Sequence, residues 1–238
     1  MRSVAGCCMV AVAAGLLTAR AGAGEWACSP WEWVHPEPFP LELSAVVVRD
    51  GAFWGFGASG AAVSADGATW QRKTVLAGKV TSVLWTGSEF IGTAGNTVAA
   101  SPDGTAWSTR HEVWQDPIFF TIDLRAIATD GSRSVVVGEN FSGRYSMWSP
   151  VLLASADGIT WSRPALPSAA DPSHSSLSAV IWTKGRFVAV GSYLVTSTDG
   201  ESWSKDEAVQ GRSLASDGNV VVVADEAELL MSRDLAVW

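Results

Sequence analysis

From residue 41 onward the chain is written as short apolar runs separated by turn residues. Val46-Val47-Val48, Val83-Leu84-Trp85, Ile127-Ala128 and Val180-Ile181-Trp182 are each followed within a few residues by a glycine, at Gly51, Gly87, Gly131 or Gly185. Gly218 takes that place in a last, weaker copy, and Asp50-Gly51, Asp130-Gly131 and Asp217-Gly218 are strong hairpin signals. A second apolar run follows the turn, as in Val135-Val136-Val137, Phe187 to Val190 and Val220 to Val223. A third, shorter run leads into a segment ending in Trp, where a fourth strand begins. No 3.6-residue period is sustained, and Gly and Pro would interrupt any helix of useful length. The pattern predicts antiparallel strands throughout.

The segment before each Trp is itself repeated. "SADGATW" (64–70), "SPDGTAW" (101–107), "SADGITW" (155–161) and "STDGESW" (197–203) share Ser-x-Asp-Gly-x-x-Trp. "SRDLAVW" (232–238) keeps Ser232, Asp234 and Trp238 at the same offsets, with Leu235 in place of Gly. The box serines are spaced by 37, 54, 42 and 35 residues, periods that indicate a repeat architecture. Four short antiparallel strands per unit, arranged radially, predict an all-β fold: a β-propeller of about five four-stranded blades over residues 41–238. A β-solenoid is the runner-up, but its coils are usually shorter than ~35 residues. The last unit stops at its Trp. The stretch "SPWEWVHPE" (29–37), within an N-terminal segment 24–40, has the character to supply the closing strand, with Trp33 standing where a box Trp would. Closure of that kind removes two exposed sheet edges. The alternative is that further blades lie beyond Trp238.

The box chemistry reads as structural. An Asp-Gly pair in a tight loop places Gly at positive φ, the Asp carboxylate accepts backbone N–H bonds, and the Ser hydroxyl adds another. Trp70, Trp107, Trp161, Trp203 and Trp238 then supply large apolar surfaces to bury between blades. Ser64, Asp66, Ser101, Asp103, Ser155, Asp157, Ser197 and Asp199 complete the repeated set. A motif present once per blade is a fastener, whereas an active site needs its residues once. Ser-x-Asp-Gly-x-x-Trp resembles the Asp-box, or bacterial neuraminidase repeat, one residue shorter than the common form. The whole unit is similar to repeats of photosystem II assembly factor-like and sialidase-like propellers. That resemblance implies the fold and a structural box away from any active site. It does not select among sialidases, other glycosidases, binding modules and assembly factors.

The N-terminus changes the cellular setting. Arg2 followed by the apolar stretch Val4–Leu17 and small residues around Ala19–Ala23 reads as a secretory signal peptide over residues 1–23, too short to span a bilayer. The expectation is a secreted or periplasmic monomer with no membrane span after signal removal. Loss of Arg2 and Arg20 leaves 14 basic against 24 acidic residues, net −10. With only four lysines, such a chain is a poor partner for nucleic acid. Val4-Ala5-Gly6-Cys7 only superficially matches a lipobox. Cys7 and Cys8 leave with the signal, so Cys28 stays single and no disulfide framework is expected. His35, His111 and His174 lack metal-ligand spacing, and no phosphate-binding Gly loop is present, so neither metal nor cofactor is expected.

Candidate binding residues come from irregular segments around the third unit. These are 108–123, 138–150, read as a long loop, and 162–176. They carry Trp114, Phe119, Phe120, Phe141, Tyr145 and Trp148 with Arg144, His111, Glu112, Asp116 and His174. Aromatics with Arg on loops have the composition of a binding surface, and Trp114, Arg144, Tyr145 and Trp148 are the candidate ligand contacts. The expected function is a non-catalytic module binding a protein or glycan. The alternative is a sialidase-like glycan-processing enzyme, which would need a Tyr nucleophile, carboxylates and an Arg cluster in one pocket. The chain has two tyrosines, Tyr145 and Tyr193, and lacks the Phe/Tyr-Arg-Ile-Pro motif expected of sialidases. Only Arg49 and Arg125 fall near candidate first strands. No catalytic residue is assigned.

Overall fold

The computed structural model describes residues 43–57, 60–73, 80–115, 120–167, 174–226 and 228–238. They form an all-β structure of five blades. Blade 1 holds β1 (Leu43–Arg49), β2 (Ala52–Gly57), β3 (Gly60–Ser64) and β4 (Gln71–Lys73). Blade 2 holds β5 (Ser82–Trp85), β6 (Phe90–Ala94), β7 (Thr97–Ser101) and β8 (Ser108–Glu112). Blade 3 has β9 (Phe120–Thr129), β10 (Ser134–Ser142) and β11 (Met147–Ser155), with a single bridge from Ala154 to Ser162 in place of a fourth strand. Blade 4 has β12 (Leu177–Thr183), β13 (Arg186–Gly191), β14 (Leu194–Ser197) and β15 (Ser204–Asp206). Blade 5 has β16 (Ser213–Ser216), β17 (Val221–Ala224) and β18 (Leu229–Ser232). Each sheet pairs its strands in chain order, all antiparallel. The predicted first and second strands lie within these elements. Val220 alone falls outside β17 and closes the turn, its carbonyl accepting from Asp217 N–H at 3.3 Å.

Both faces of blades 2, 3 and 4 are apolar, because each is covered by a neighbour. Phe56, Ala61, Val80 and Phe90 join blades 1 and 2, with Trp54, Trp85 and Trp107 against them. Ile91, Val98, Leu124, Ile127, Val136 and Val151 join blades 2 and 3. Val135, Val137, Leu152, Val180, Phe187 and Ala189 join blades 3 and 4. Val188, Val190, Leu194, Val209 and Val223 join blades 4 and 5. Each fully buried Phe or Val contributes about 1.5–3 kcal/mol by leaving water. The box tryptophans reach back across these seams: Trp107 meets Phe56 edge-on at 5.6 Å, and Trp161, Trp203 and Trp238 sit on the three later clusters.

Two sequence expectations change here. The segment 138–150 is a hairpin extension rather than a loop. β10 and β11 stay paired out to Ser142 and Met147, which leaves a turn of residues 143–146. Its ladder holds through Phe141↔Trp148, whose rings lie 4.4 Å apart, and Pro150 is tolerated because β11 is an edge there. Likewise His111 and Glu112 belong to β8 and not to a connector, and β9 begins at Phe120, so that connector shrinks to residues 113–119. The closing strand at 29–37, the segment 24–40 and the signal peptide 1–23 lie outside the described residues.

The predicted turn geometry is present. The box glycines Gly67, Gly104, Gly158 and Gly200 have φ of +75°, +76°, +70° and +71°, and Leu235 adopts the same conformation at +64°. At Gly104 an added Cβ would also meet Trp54 Cζ3 at 2.7 Å, whereas at Gly51, with φ of +76°, it would meet nothing within 4 Å. An L-residue at such φ costs about 1–2 kcal/mol by itself. Gly104→Ala should therefore lower the thermal midpoint clearly more than Gly51→Ala. Equal losses in a pair of melting curves would mean that the seam between blades 1 and 2 yields freely.

Candidate functional site

The boxes resolve into one hydrogen-bond pattern used five times. In the third, Ser155 Oγ donates to Asp157 Oδ1 at 3.0 Å and accepts from Gly158 N–H at 2.8 Å. Asp157 Oδ1 also accepts from the N–H groups of Ile159 and Thr160 at 2.8 and 2.6 Å. Ser64/Asp66, Ser101/Asp103, Ser197/Asp199 and Ser232/Asp234 repeat this arrangement. The fifth box keeps it despite Leu235, since the bond uses only the backbone N–H of that residue. Trp70, Trp107 and Trp203 donate Nε1–H to the box glycine carbonyl at 3.1, 3.3 and 3.0 Å. Trp161 and Trp238 bury the same atom without a partner. In every box it is Oδ1 of the Asp that ties down its own turn, the arrangement of a structural fastener.

The backbone N–H bonds hold the carboxyls of Asp66, Asp157 and Asp199 at about 2, against the ordinary 3.8, and that of Asp103 lower still. The folded chain therefore favours the ionised form. The stabilisation is complete above 3.8 and is lost as pH falls from there towards 2. The thermal midpoint should drop across that window. Asp157→Asn should flatten part of the drop while lowering the midpoint at pH 7 by about 2–4 °C. A midpoint that is flat between pH 4 and 2 in the parent chain would contradict the assignment.

A different set of residues meets on the opposite face. An open cavity of about 730 Å³ lies over blades 3, 4 and 5. Its walls come from strand ends, from the β13–β14 and β17–β18 turns and from the connectors before β12 and β16, including Arg125, Glu139, Trp148, His174, Arg212 and Asp225. The repeat explains why Arg125 and Arg212 are there. Each first strand has one residue that does not fit the ladder with the second strand, or that begins it. In β1, β9 and β12 the register slips so that Ser44, Arg125 and Ser178 are the extra residues. Thr81 and Arg212 hold the same place just before β5 and β16, donating N–H to Thr93 and Ala224 carbonyls at 2.8 Å each. Gly138 and Gly191 lie opposite two of these bulges, where an added Cβ would collide with the carbonyls of Asp123 and Ser176.

In blades 1 and 2 this column stitches neighbours together. Ser44 Oγ bonds the carbonyl of Val80 in the next blade, and Thr81 Oγ1 bonds that of Leu124 at 2.8 Å. In blades 3 and 5 the hydroxyl is replaced by a guanidinium that faces the cavity. Arg125 Nη2 meets Glu139 Oε1 at 2.5 Å and its Nε lies 3.5 Å from Asp123 Oδ2. Arg212 meets Glu226 Oε1 at 2.9 Å and Asp225 Oδ1 at 3.6 Å. Burial pushes the Glu139 carboxyl above its ordinary value, partly offset by the charge of Arg125. The cavity therefore offers paired charges of both signs rather than a field of one sign.

Of the candidate contacts, Trp148 lines this cavity and is anchored by Ser175 N–H donating to its carbonyl at 3.3 Å. Arg144 and Tyr145 sit at the tip of the β10–β11 hairpin, with the guanidinium 5.4 Å from the Tyr145 ring centre. Tyr145 and Trp114 are exposed and do not line the cavity. Tyr193 is buried in the seam between blades 3 and 4, where desolvation raises its hydroxyl pKa. Arg125 stands near a candidate first strand in the sequence, but nothing there signals its pairing with Glu139 or the roles of Arg212, Asp225 and Glu226. Aligning "LSAV", "VTSV", "LRAI", "LSAV" and "GRSL" from each unit would have exposed the column. Among the described residues no cluster of three or more His, Cys, Asp or Glu is placed to hold a metal ion. No helix there is long and apolar enough to cross a membrane.

No protein-family model matches the chain, and no curated protein matches it. Solved structures do share the fold. A nidogen in complex with laminin aligns over 81% of this chain and 76% of its own, at 11% identity and a TM-score of 0.60. The extracellular domain of a putative one-component system from B. thetaiotaomicron aligns over 83% of this chain, at 9% identity and a TM-score of 0.60. This chain spans only 28% of that longer protein. YCF48 bound to D1 peptide aligns over 82% of this chain and 65% of its own, at 18% identity and a TM-score of 0.54.

Proposed function

We propose that the chain is an exported, non-catalytic propeller that binds a protein or glycan ligand in the cavity over blades 3 to 5. The observation that carries this reading is the pairing of Arg125 with Glu139 and Arg212 with Glu226 at the rim of one open cavity. Ion pairs of both signs match the alternating donors and acceptors of an extended peptide, and Trp148 offers a flat apolar face beside them. Trp114, Arg144 and Tyr145 extend that surface outward along the hairpin. Propellers of similar fold are found with laminin and with a D1 peptide, which supports a protein ligand first. Export rests on the signal-like residues 1–23, and the similar domain from B. thetaiotaomicron is extracellular.

Screening the mature chain against peptide and glycan arrays, followed by calorimetry, tests the site. Trp148→Ala and Arg212→Ala should each weaken the selected ligand by ten-fold or more. Asp157→Ala should lower the thermal midpoint and leave Kd unchanged at a temperature where it is folded. Ligands indifferent to both cavity substitutions would remove the assignment.

A second reading, glycan hydrolysis, is favoured by one observation. Glu139 is buried in the cavity with its carboxyl pKa raised, as a general acid requires. The sialidase form of that reading also needs a Tyr nucleophile, and neither Tyr145 nor Tyr193 lines the cavity. Release of nitrophenol from aryl glycosides, including a sialoside, abolished by Glu139→Gln, would establish hydrolysis in place of binding.

A further inference from the structure

The charges of the cavity are mixed in sign but not in balance. Arg125 lies between two carboxylates, Glu139 and Asp123, and Arg212 lies between two more, Glu226 and Asp225. Each guanidinium neutralises one carboxylate of its pair, so each end of the cavity is one positive charge short. The shortage matters most at Glu139, the most buried of these six side chains. It is 8% exposed, against 69% for Arg212 and 73% for Glu226, where water screens the excess. Glu139 Oε1 takes the bond from Arg125 Nη2, whereas Oε2 has no hydrogen-bond partner among the described residues. Burial raises the Glu139 carboxyl, the charge of Arg125 offsets this only in part, and Asp123 pushes it up further. A recessed carboxylate with one oxygen unspent is costly until a second cation pairs with it.

An aromatic wall stands beside that oxygen. Glu139↔Pro150 and Phe141↔Trp148 are alternate pairs of the β10–β11 ladder, so Glu139 and Trp148 share one face of the hairpin. Diagonal neighbours of this kind lie about 7–8 Å apart, within reach of a single cationic group. Trp148 lines the cavity, and its ring is held 4.4 Å from that of Phe141. An indole kept in one orientation favours a cation, or the alkyl stem that carries one.

We propose that the cavity selects a peptide bearing a lysine or arginine side chain, with its cationic head at Glu139 Oε2 and its stem along Trp148. This rests on the reading of the cavity as a peptide site and names the residue that the site takes. The depth of Glu139 favours a long, unbranched side chain over an amine fixed to a sugar ring. Arg212, at the exposed end, holds Asp225 and Glu226 in place and does not read the cation.

The test varies the ligand before the protein. The probes are pools of short blocked peptides with random flanks and a central Lys, Arg, norleucine or Glu, together with chitosan oligomers, each titrated against the chain by fluorescence anisotropy. The Lys and Arg pools should bind about ten-fold more tightly than the norleucine pool, with the Glu pool weakest. Glu139→Gln should bring the Lys pool down to the level of the norleucine pool. Should that variant not fold, the four pools against the parent chain decide alone. Norleucine or Glu binding as tightly as Lys would overturn the inference and leave a peptide site of another specificity. A preference for Lys that survives Glu139→Gln would overturn it as well, since it would come from the general acidity of the chain. Chitosan bound more tightly than any peptide pool would give the cation to an amino sugar and likewise overturn it. Binding of neither peptides nor chitosan would remove the proposed site itself.

Discussion

A sheet with two apolar faces cannot stand alone in water, and that constraint organises this molecule. Among the described residues, blades 2, 3 and 4 each bury one face on the blade before and the other on the blade after. Phe90 and Phe187 are fully buried only because a neighbouring sheet covers them. The stability of any one blade is thus shared with its neighbours, as in other repeat proteins. It follows that local chemistry must first hold each blade in a shape its neighbours can accept.

The boxes supply that shape. A carboxylate that accepts two turn N–H groups and a hydroxyl fixes the course of the chain for a few residues. The indole that follows is then delivered to the seam. The device tolerates change at its least critical point: Leu235 adopts a glycine-like φ of +64° while the same carboxylate pattern persists. The boxes and the charged cavity are also kept apart in space, on opposite faces of the ring.

The fold was legible in the sequence because its determinants are local. Gly131 after Asp130, the alternating runs and the spacing of Ser101 from Ser155 each act over a few residues. The irregular third blade was legible as an interval but not as a structure. A ten-residue excess reads equally well as a loop or as a longer hairpin, and the choice was made by pairing across to β9, a tertiary effect. The cavity was less legible still. Arg125 and Glu139, 14 residues apart, meet through the pairing of β9 with β10, and Arg212 joins them from another blade only through the radial arrangement. Trp148 was found because aromatic residues beside a turn are conspicuous, while an Arg inside a regular strand pattern is not.

The column of bulge residues carries a consequence for how such a ring acquires chemistry. Where it holds Ser44 or Thr81, the side chain is a stitch between blades. Where it holds Arg125 or Arg212, one stitch has been exchanged for a charged group at the axis, and the seams around it remain closed by their buried cores. The charge of the cavity can therefore be rewritten one blade at a time at a single column, without disturbing the boxes or the cores. Three of the five positions, Arg125, Ser178 and Arg212, line the one cavity, so the ring behaves as a register in which hydroxyls are the default and each departure places a charge there.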